Sequence, residues 1–418
     1  MTASQYIQFL GAEARKAAGV LAGAKGIQRD QALLACAAAL RRRCATVLEA
    51  NARDLARKDE LGLSDAMIDR LRLTEARVEA MAAAIEQIAR QNDPVGKTIE
   101  AYNRPNGLRV EKRRVPIGVI GIIFESRPNV TADAAALCLK SGNACILRGG
   151  KEAMQSNLAV AAAMREGLAQ AGLPADAIAM IDNPARDIVT AMATAQGLID
   201  LIIPRGGEGL IRAVVETATI PVIKHFTGNC HVYVHSAADA ATAETIVINA
   251  KCQRPGVCNA METLLIDAAV AAEFLPRLAE LMVARGVELR GCDRCRRIVP
   301  DMKAATQDDW RAEYLDLILA VKIVDGLAEA IDHINTYGSA HTDAIVTKDI
   351  AAAETFTALV DSASVMVNAS TRFSDGGEYG LGAEVGISTD KLHARGPMGA
   401  EDLTTYKWIV TGQGHIRQ

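Results

Sequence analysis

Residues Val115–Ala153 read VPIGVIGIIFESRPNVTADAAALCLKSGNACILRGGKEA, and the hydrophobic period changes twice within them. Val119 to Phe124 is an unbroken apolar run, the pattern of a strand buried on both faces. Val130 to Lys140 has helical spacing and is stopped by Gly142-Asn143. Ala144 to Leu147 is strand-like again. Strand, helix and strand in so short a stretch make a parallel βαβ unit.

The alternation continues downstream. Lys151 to Gln170 reads as a helix closed by Gly172 and Pro174. A strand at Ile178–Ile181, a helix at Ala185–Ala195, a strand at Leu198–Ile203, a helix at Glu208–Thr217 and a strand at Ile220–His225 follow. This predicts a doubly wound parallel sheet, which binds ligands at the carboxyl ends of its strands. After His225 the pattern restarts. Asp239 caps a helix reaching about Lys251. The loop Gln253–Asn259 leads into a strand at Met261–Ile266, and later strands are expected at Val321–Val324 and Ala344–Val346. A second α/β domain is expected here.

Before the βαβ unit, Ala3 to about Arg90 is helical, with apolar residues three and four apart such as Leu33, Leu34, Ala37 and Leu40. Asn92-Asp93-Pro94 ends this region, which reads as scaffold. Leu108 to Glu125 is extended, with a break at Pro116-Ile117-Gly118. Thr404 to Thr411 reads as a further strand.

Half of the 418 residues are hydrophobic but only 4% are aromatic, so Ala, Val, Leu and Ile must build the core. Lys and Arg number 46 against 50 Asp and Glu, a net charge of −4, and the basic field of a nucleic-acid binder is missing. Lys112-Arg113-Arg114 reads as a solvated strand face. The nine cysteines are odd in number and scattered, which argues against a disulfide framework and for a reducing cytoplasm. Glu13 and Arg15 interrupt the first apolar stretch, so no secretion signal is expected, and no membrane span either.

Four places invite chemistry. Gln253-Arg254-Pro255-Gly256-Val257-Cys258-Asn259 sets a tight turn before a cysteine, between a helix and a strand. A thiolate there can attack a carbonyl. By spacing alone an inert buried cysteine is the favoured reading, and Cys252 is the local competitor. Arg205-Gly206-Gly207-Glu208-Gly209 follows a strand and opens a helix, a place suited to phosphate. Arg148-Gly149-Gly150-Lys151 also follows a strand, and its two cations suit a ribose 2′-phosphate; a solvated helix start fits the composition equally. Phe373–Gly386, FSDGGEYGLGAEVG, is dense in glycine, and Arg372 and Arg395 flank it as possible carboxylate anchors; an ordinary ion pair is the alternative for each. Cys292-Asp293-Arg294-Cys295 lacks a second ligand pair and reads as structural.

Together, VPIGVIGIIFESRPNVTADAAALCLKSGNACILRGGKEA, QRPGVCNAMETLL, HINTYGSAHTDAIVT and NASTRFSDGGEYGLGAEVGISTDKLHARGPMG resemble the glutamate-5-semialdehyde dehydrogenases of the aldehyde dehydrogenase superfamily. The resemblance spans essentially the whole chain. It implies two doubly wound α/β domains with a small β oligomerisation element. Residues 1–101 and 121–226 would bind the cofactor, 227–390 would form the catalytic domain, and 102–120 with 391–418 the oligomerisation element.

The resemblance also implies NADPH-dependent reduction of L-glutamyl 5-phosphate to L-glutamate 5-semialdehyde through a thioester on Cys258, a step of proline biosynthesis. Ser126 matches the position of the side-chain oxyanion donor of ordinary members. His225 matches the Glu that activates water in them, so the thioester should not be hydrolysed. Arg148, Lys151, Gly206, Gly207 and Glu313 would meet the cofactor. Arg127, Asn259, Asn368, Arg372 and Arg395 would meet the substrate. No metal is implied. A homo-oligomer, and the upstream glutamate 5-kinase as a protein partner, follow by the same analogy. The competing readings are an oxidising dehydrogenase of free aldehydes, which the missing Glu opposes, and a non-catalytic homologue, which the retained cysteine loop opposes.

Overall fold

The computed structural model describes residues 1–417. The first parallel sheet has the strand order Ile178–Met180, Ala144–Arg148, Val119–Phe124, Leu201–Arg205. The first of these strands in the chain is flanked by the second and by the last. The crossovers therefore leave it in opposite directions, and a crevice opens at its carboxyl end. Glu125, Ser126 and Arg127 emerge at that crevice.

The second sheet is also parallel and has seven strands, in the order Lys303–Ala304, Glu288–Gly291, Ile318–Val324, Met261–Asp267, Cys230–Val234, Thr342–Val346, Ser364–Val367. Every residue of Met261–Asp267 and of Cys230–Val234 is buried, as expected for central parallel strands. Both doubly wound units, and the helix Ala240–Cys252 with its Asp239 cap, agree with the sequence reading.

A separate antiparallel sheet joins Thr98–Asn103, Arg109–Pro116 and Thr404–Thr411. Thr404 pairs with Pro116 and Thr411 with Arg109. The Thr98–Asn103 strand was not foreseen, and it straddles the expected boundary at 101/102. All six of its residues are exposed, so it carries no buried alternation. On the neighbouring strand Lys112 sits 3.9 Å from the centre of the Tyr406 ring.

The expected strand Ile220–His225 does not form. One isolated bridge links Val222 to Ile202. Pro221 has no N–H to give, and the Lys224 N–H turns away to Asp390 Oδ2 at 2.8 Å. The segment thus leaves the sheet edge and heads for the site.

The N-terminal helices Gly26–Arg42 and Glu75–Arg90 cover the first sheet through helix Met154–Gln170 and helix Pro128–Lys140. Leu33, Ala37 and Leu40 are buried, whereas Leu34 faces outward. At the tightest point Gly167 lies against the backbone of Ala35 and Cys36, and a Cβ there would overlap both. Gly167→Ala is therefore expected to destabilise the protein by about 1–3 kcal/mol through overpacking, against the usual gain for Gly→Ala inside a helix. Urea unfolding measures the sign; a more stable variant would show that these two helices can move apart freely.

Candidate active site

The cysteine loop runs between two rigid elements, helix Ala240–Cys252 and strand Met261–Asp267. Its base is closed by an ion pair, Lys251 Nζ to Glu262 Oε2 at 2.5 Å, with both side chains fully buried. Glu262 Oε1 also accepts the Leu315 N–H at 3.2 Å. Burial pushes the Glu262 carboxyl up to about 7 and the Lys251 ammonium down, and their mutual attraction opposes both shifts.

Cys258 is half-buried above this base. Its carbonyl packs on Gly228 so closely that a side chain at 228 would overlap it. The same carbonyl accepts the Cys230 thiol at 3.2 Å. The Gly228 N–H donates to Glu313 Oε1 at 2.8 Å, and burial raises that carboxyl. Burial also raises the thiol of the competitor Cys252, which makes it the poorer nucleophile.

These groups gather at the amino ends of the second sheet, where Cys230 pairs with Met261 and Thr342 with Ser364. In the first sheet the carboxyl ends face the site, as the sequence reading expected. The cleft thus lies between opposite ends of two parallel sheets.

His225, Cys258 and His341 place donor atoms within 4.8 Å of one another. His225 Nδ1 lies 2.7 Å from the Ile387 carbonyl, which can only accept, so Nδ1 carries the proton and Nε2 is an acceptor. The two imidazoles meet edge to face, centroids 5.3 Å apart. His341 is fully buried, and burial pulls it down to about 4, so it is neutral at pH 7.

Arginines surround the thiol. Burial pulls the Arg127 guanidinium down to about 10, and the charges of Arg205, Arg70 and Arg254 push the same way. Arg70 also holds the Gly256 carbonyl at 3.3 Å. Arg70, Arg72, Arg77, Arg127 and Arg254 line a cavity of about 410 Å³ with Asp69 and Asp133. The N-terminal helices are thus more than scaffold. Arg372 Nε is held by Gln253 Oε1 at 2.8 Å, and burial followed by the charge of Arg254 lowers its guanidinium.

At the crevice of the first sheet the Gly207 N–H donates to Glu125 Oε2 at 2.9 Å. The chain's own carboxylate therefore sits at the amino end of helix Glu208–Thr217, where the first amides attract negative charge. Ser126 has a backbone φ of +42°, held there by Glu152 Oε1, which accepts both the Ser126 N–H and hydroxyl at 2.7 Å. Its hydroxyl is spent on Glu152. Arg148 ends the second strand of the unit, the position that reads the ribose in such folds. It donates to the Pro184 carbonyl at 3.1 Å, while its Nε is buried without a partner. Lys151 is exposed beside it.

The sequence-derived residues divide accordingly. Cys258, His225, Arg127, Arg372 and Glu313 converge on the amino ends of the second sheet. Arg148, Lys151, Gly206 and Gly207 line the crevice. Asn259 is buried, with its Nδ2 committed to the Ser374 carbonyl at 2.8 Å, so it ties two loops together and offers only Oδ1.

One assignment is corrected. Asn368 follows the carboxyl end of strand Ser364–Val367, the opposite end of the sheet from Cys258. Both halves of its amide pair with Thr347 backbone at 2.8 Å. Arg395 Nη2 is held by Asp361 Oδ1 at 2.9 Å and the Asp361 carbonyl at 3.0 Å, while its Nε is buried with no partner among the described residues. Arg70, Arg254 and His341 were missed. His341 lies in a quoted motif but carries no spacing signal, and Arg70 sits on a helix whose pattern looks solvated.

A thiol on a tight loop, facing a nucleotide-type crevice across a cleft, defines a cysteine-dependent dehydrogenase of the nicotinamide-using kind. The model of the aldehyde dehydrogenase family matches residues 3–289. A gamma-glutamyl phosphate reductase of Geobacter metallireducens is 55% identical over the full length of both chains, and one of Moorella thermoacetica is 54% identical, also over both full lengths. The crystal structure of gamma-glutamyl phosphate reductase from Thermotoga maritima superposes with a TM-score of 0.96 at 45% identity, covering 99% of this chain and 100% of that one. The chain belongs to the aldehyde dehydrogenase family and, within it, to the gamma-glutamyl phosphate reductases. An engineered glycolyl-CoA reductase with bound NADP+ shares the fold, at 16% identity and a TM-score of 0.69.

Removing one member of the buried ion pair isolates the other. Lys251→Met should cost roughly 3–5 kcal/mol at pH 8, and Lys251→Met with Glu262→Leu should recover most of that. Urea unfolding of both variants checks this; a single variant as stable as the wild type would mean the pair does not hold the loop.

Proposed function

We propose that the protein reduces L-glutamyl 5-phosphate to L-glutamate 5-semialdehyde and phosphate, with NADPH, as the reductive step of proline biosynthesis. The observation that carries this reading is the Cys258 thiol, within 4.8 Å of His225 at the position where a hydrolytic relative needs a carboxylate. His225 Nε2, left as acceptor by the Ile387 contact, takes the thiol proton. The sulfur adds to the acyl carbon, and phosphate leaves into the arginine field of Arg127, Arg70 and Arg254. Arg372, next to the loop, is the anchor for the amino-acid carboxylate.

The crevice suits a phosphate-bearing cofactor, because Arg148 keeps a buried Nε that has no partner among the described residues, beside the amino end of helix Glu208–Thr217. Gly206, Gly207, Arg148 and Lys151 would hold it, with Glu313 beyond the cysteine loop. Bound there, a reduced nicotinamide supplies the hydride that turns the thioester into the aldehyde. The chain's own part is to keep water from the thioester meanwhile, and no carboxylate base stands at position 225.

The exposed Tyr102, Tyr406 and Trp408 of the three-stranded sheet support assembly of copies through that sheet. The nine free cysteines suit a reducing cytoplasm, and no helix among the described residues is long and apolar enough to cross a membrane. A kinase acting on glutamate is the supplier that this chemistry requires.

The reading is tested by running the reaction backwards, following NADP reduction by glutamate semialdehyde. Turnover should depend on added phosphate and vanish in Cys258→Ala, with the cofactor still bound; fast oxidation in phosphate-free buffer would instead mark an oxidising dehydrogenase. Arg148→Ala should weaken NADPH about ten- to a hundredfold, the worth of one charge-assisted contact of ~1.5–3 kcal/mol, and leave NADH nearly unchanged. Equal losses for both cofactors would take Arg148 away from the 2′-phosphate.

A further inference from the structure

The attack of a thiolate on a carbonyl needs a donor for the oxygen that becomes negative. Ser126, which stands at the expected side-chain position, has given its hydroxyl to Glu152. A second candidate lies on the other side of the thiol. His341 is completely buried at the amino end of strand Thr342–Val346, and its Nε2 has no partner. A ring nitrogen of His341 lies within 4.8 Å of the Cys258 sulfur.

The partners of Nδ1 decide what Nε2 can do. Nδ1 lies 2.9 Å from the Thr342 hydroxyl, and among the described residues the imidazole is that buried group's only partner. If Nδ1 donated, the Thr342 proton would be left in the core without an acceptor, at a cost of roughly 1–3 kcal/mol. If Thr342 donates, both groups are satisfied and the ring proton stays on Nε2. The Cys230 sulfur also lies 3.7 Å from this Nδ1, but its one proton goes to the Cys258 carbonyl, so Thr342 is the donor that sets the tautomer. Nε2–H is then a neutral donor with nothing to bind. Burial keeps the ring uncharged across the neutral range, so it can polarise an oxygen without giving up its proton.

We propose that His341 is the side-chain oxyanion donor of the reaction, its Nε2–H binding the oxygen that turns negative when Cys258 sulfur adds to the acyl carbon. Sulfur forms a bond to carbon, and the carbon–oxygen π pair moves onto oxygen, beside Nε2–H. The pair returns when the leaving group departs with its bonding electrons, and the carbonyl of the thioester is left. No proton is consumed at His341. His225 and His341 thus hold opposite tautomers, one accepting from sulfur and the other donating to oxygen, with Thr342 as the positioning residue. The assignment rests on Cys258 acting as the acyl acceptor, as in the function proposed above.

The test compares two reactions of the same thiol in the full-length enzyme. Acylation by p-nitrophenyl acetate builds an oxyanion, whereas alkylation by iodoacetamide displaces iodide and builds none. His341→Leu should slow acylation by about a hundred- to a thousandfold, and leave alkylation within about twofold of the wild type. His341→Asn, which keeps an N–H donor, should recover at least about tenfold of the loss. Thr342→Val, close to isosteric, should slow acylation about fivefold or more with alkylation unchanged, and it carries the test if the leucine variant does not fold. Acylation at the wild-type rate in His341→Leu or Thr342→Val would overturn the proposal. So would parallel loss of both reactions in either variant, since His341 would then act on the sulfur. Failure of the acyl-phosphate reading would look different: the wild type would not turn over glutamyl phosphate, while these ratios would stand.

Discussion

The buried pair between Lys251 and Glu262 closes the loop that carries the reactive thiol. Two fully desolvated charges are costly unless they meet, so the helix end and the strand start must stay together. With that base fixed, the backbone at Cys258 can lie directly on Gly228, and Gly228 on Glu313. Each neighbouring strand then brings one more loop to the same edge of the sheet. The loop before Thr342 delivers His341, and the loop before Cys230 delivers Gly228 with His225 just upstream. A nucleophile on a loop gains its precision from such neighbours rather than from the loop itself.

Charge is distributed unevenly around that point. The chain is weakly acidic as a whole, yet Arg70, Arg127, Arg205, Arg254 and Arg372 act on one another near the thiol. Mutual repulsion and burial both weigh on Arg127, so an arriving dianion relieves a strain that the free protein carries. The same field favours departure of phosphate from the acyl carbon. Net charge was silent about this, because a local cluster disappears in a whole-chain sum.

What the sequence disclosed follows from what each residue pattern can encode. The strand Val119–Phe124 was legible as an unbroken apolar run buried on both faces, and helix Glu208–Thr217 because its buried Ile211 and Val214 lie three apart. Thr98–Asn103 was missed because it is exposed on both faces and therefore has none. Ile220–His225 looked like a strand because an apolar run does not reveal that Pro221 lacks a donor or that Asp390 will capture Lys224. In the site, Cys258 and His225 were readable from motif context. Asn368 was misplaced because a motif match carries a residue's position without showing that its amide is taken up by the Thr347 backbone. His341 stayed hidden because a buried histidine reads as core until its orphaned nitrogen is located in space.

The pairing of Arg109–Pro116 with Thr404–Thr411 links the chain's early and late segments. During synthesis the hairpin of Thr98–Asn103 and Arg109–Pro116 emerges long before its third strand exists. Its open edge must therefore wait, unpaired, while two entire parallel sheets are translated and folded. Arg109, Lys112, Arg113 and Arg114 on that edge strand are the kind of side chains that keep a bare edge from pairing with the wrong partner. The same basic side chains thus protect the growing chain before they become a solvated face of the finished protein.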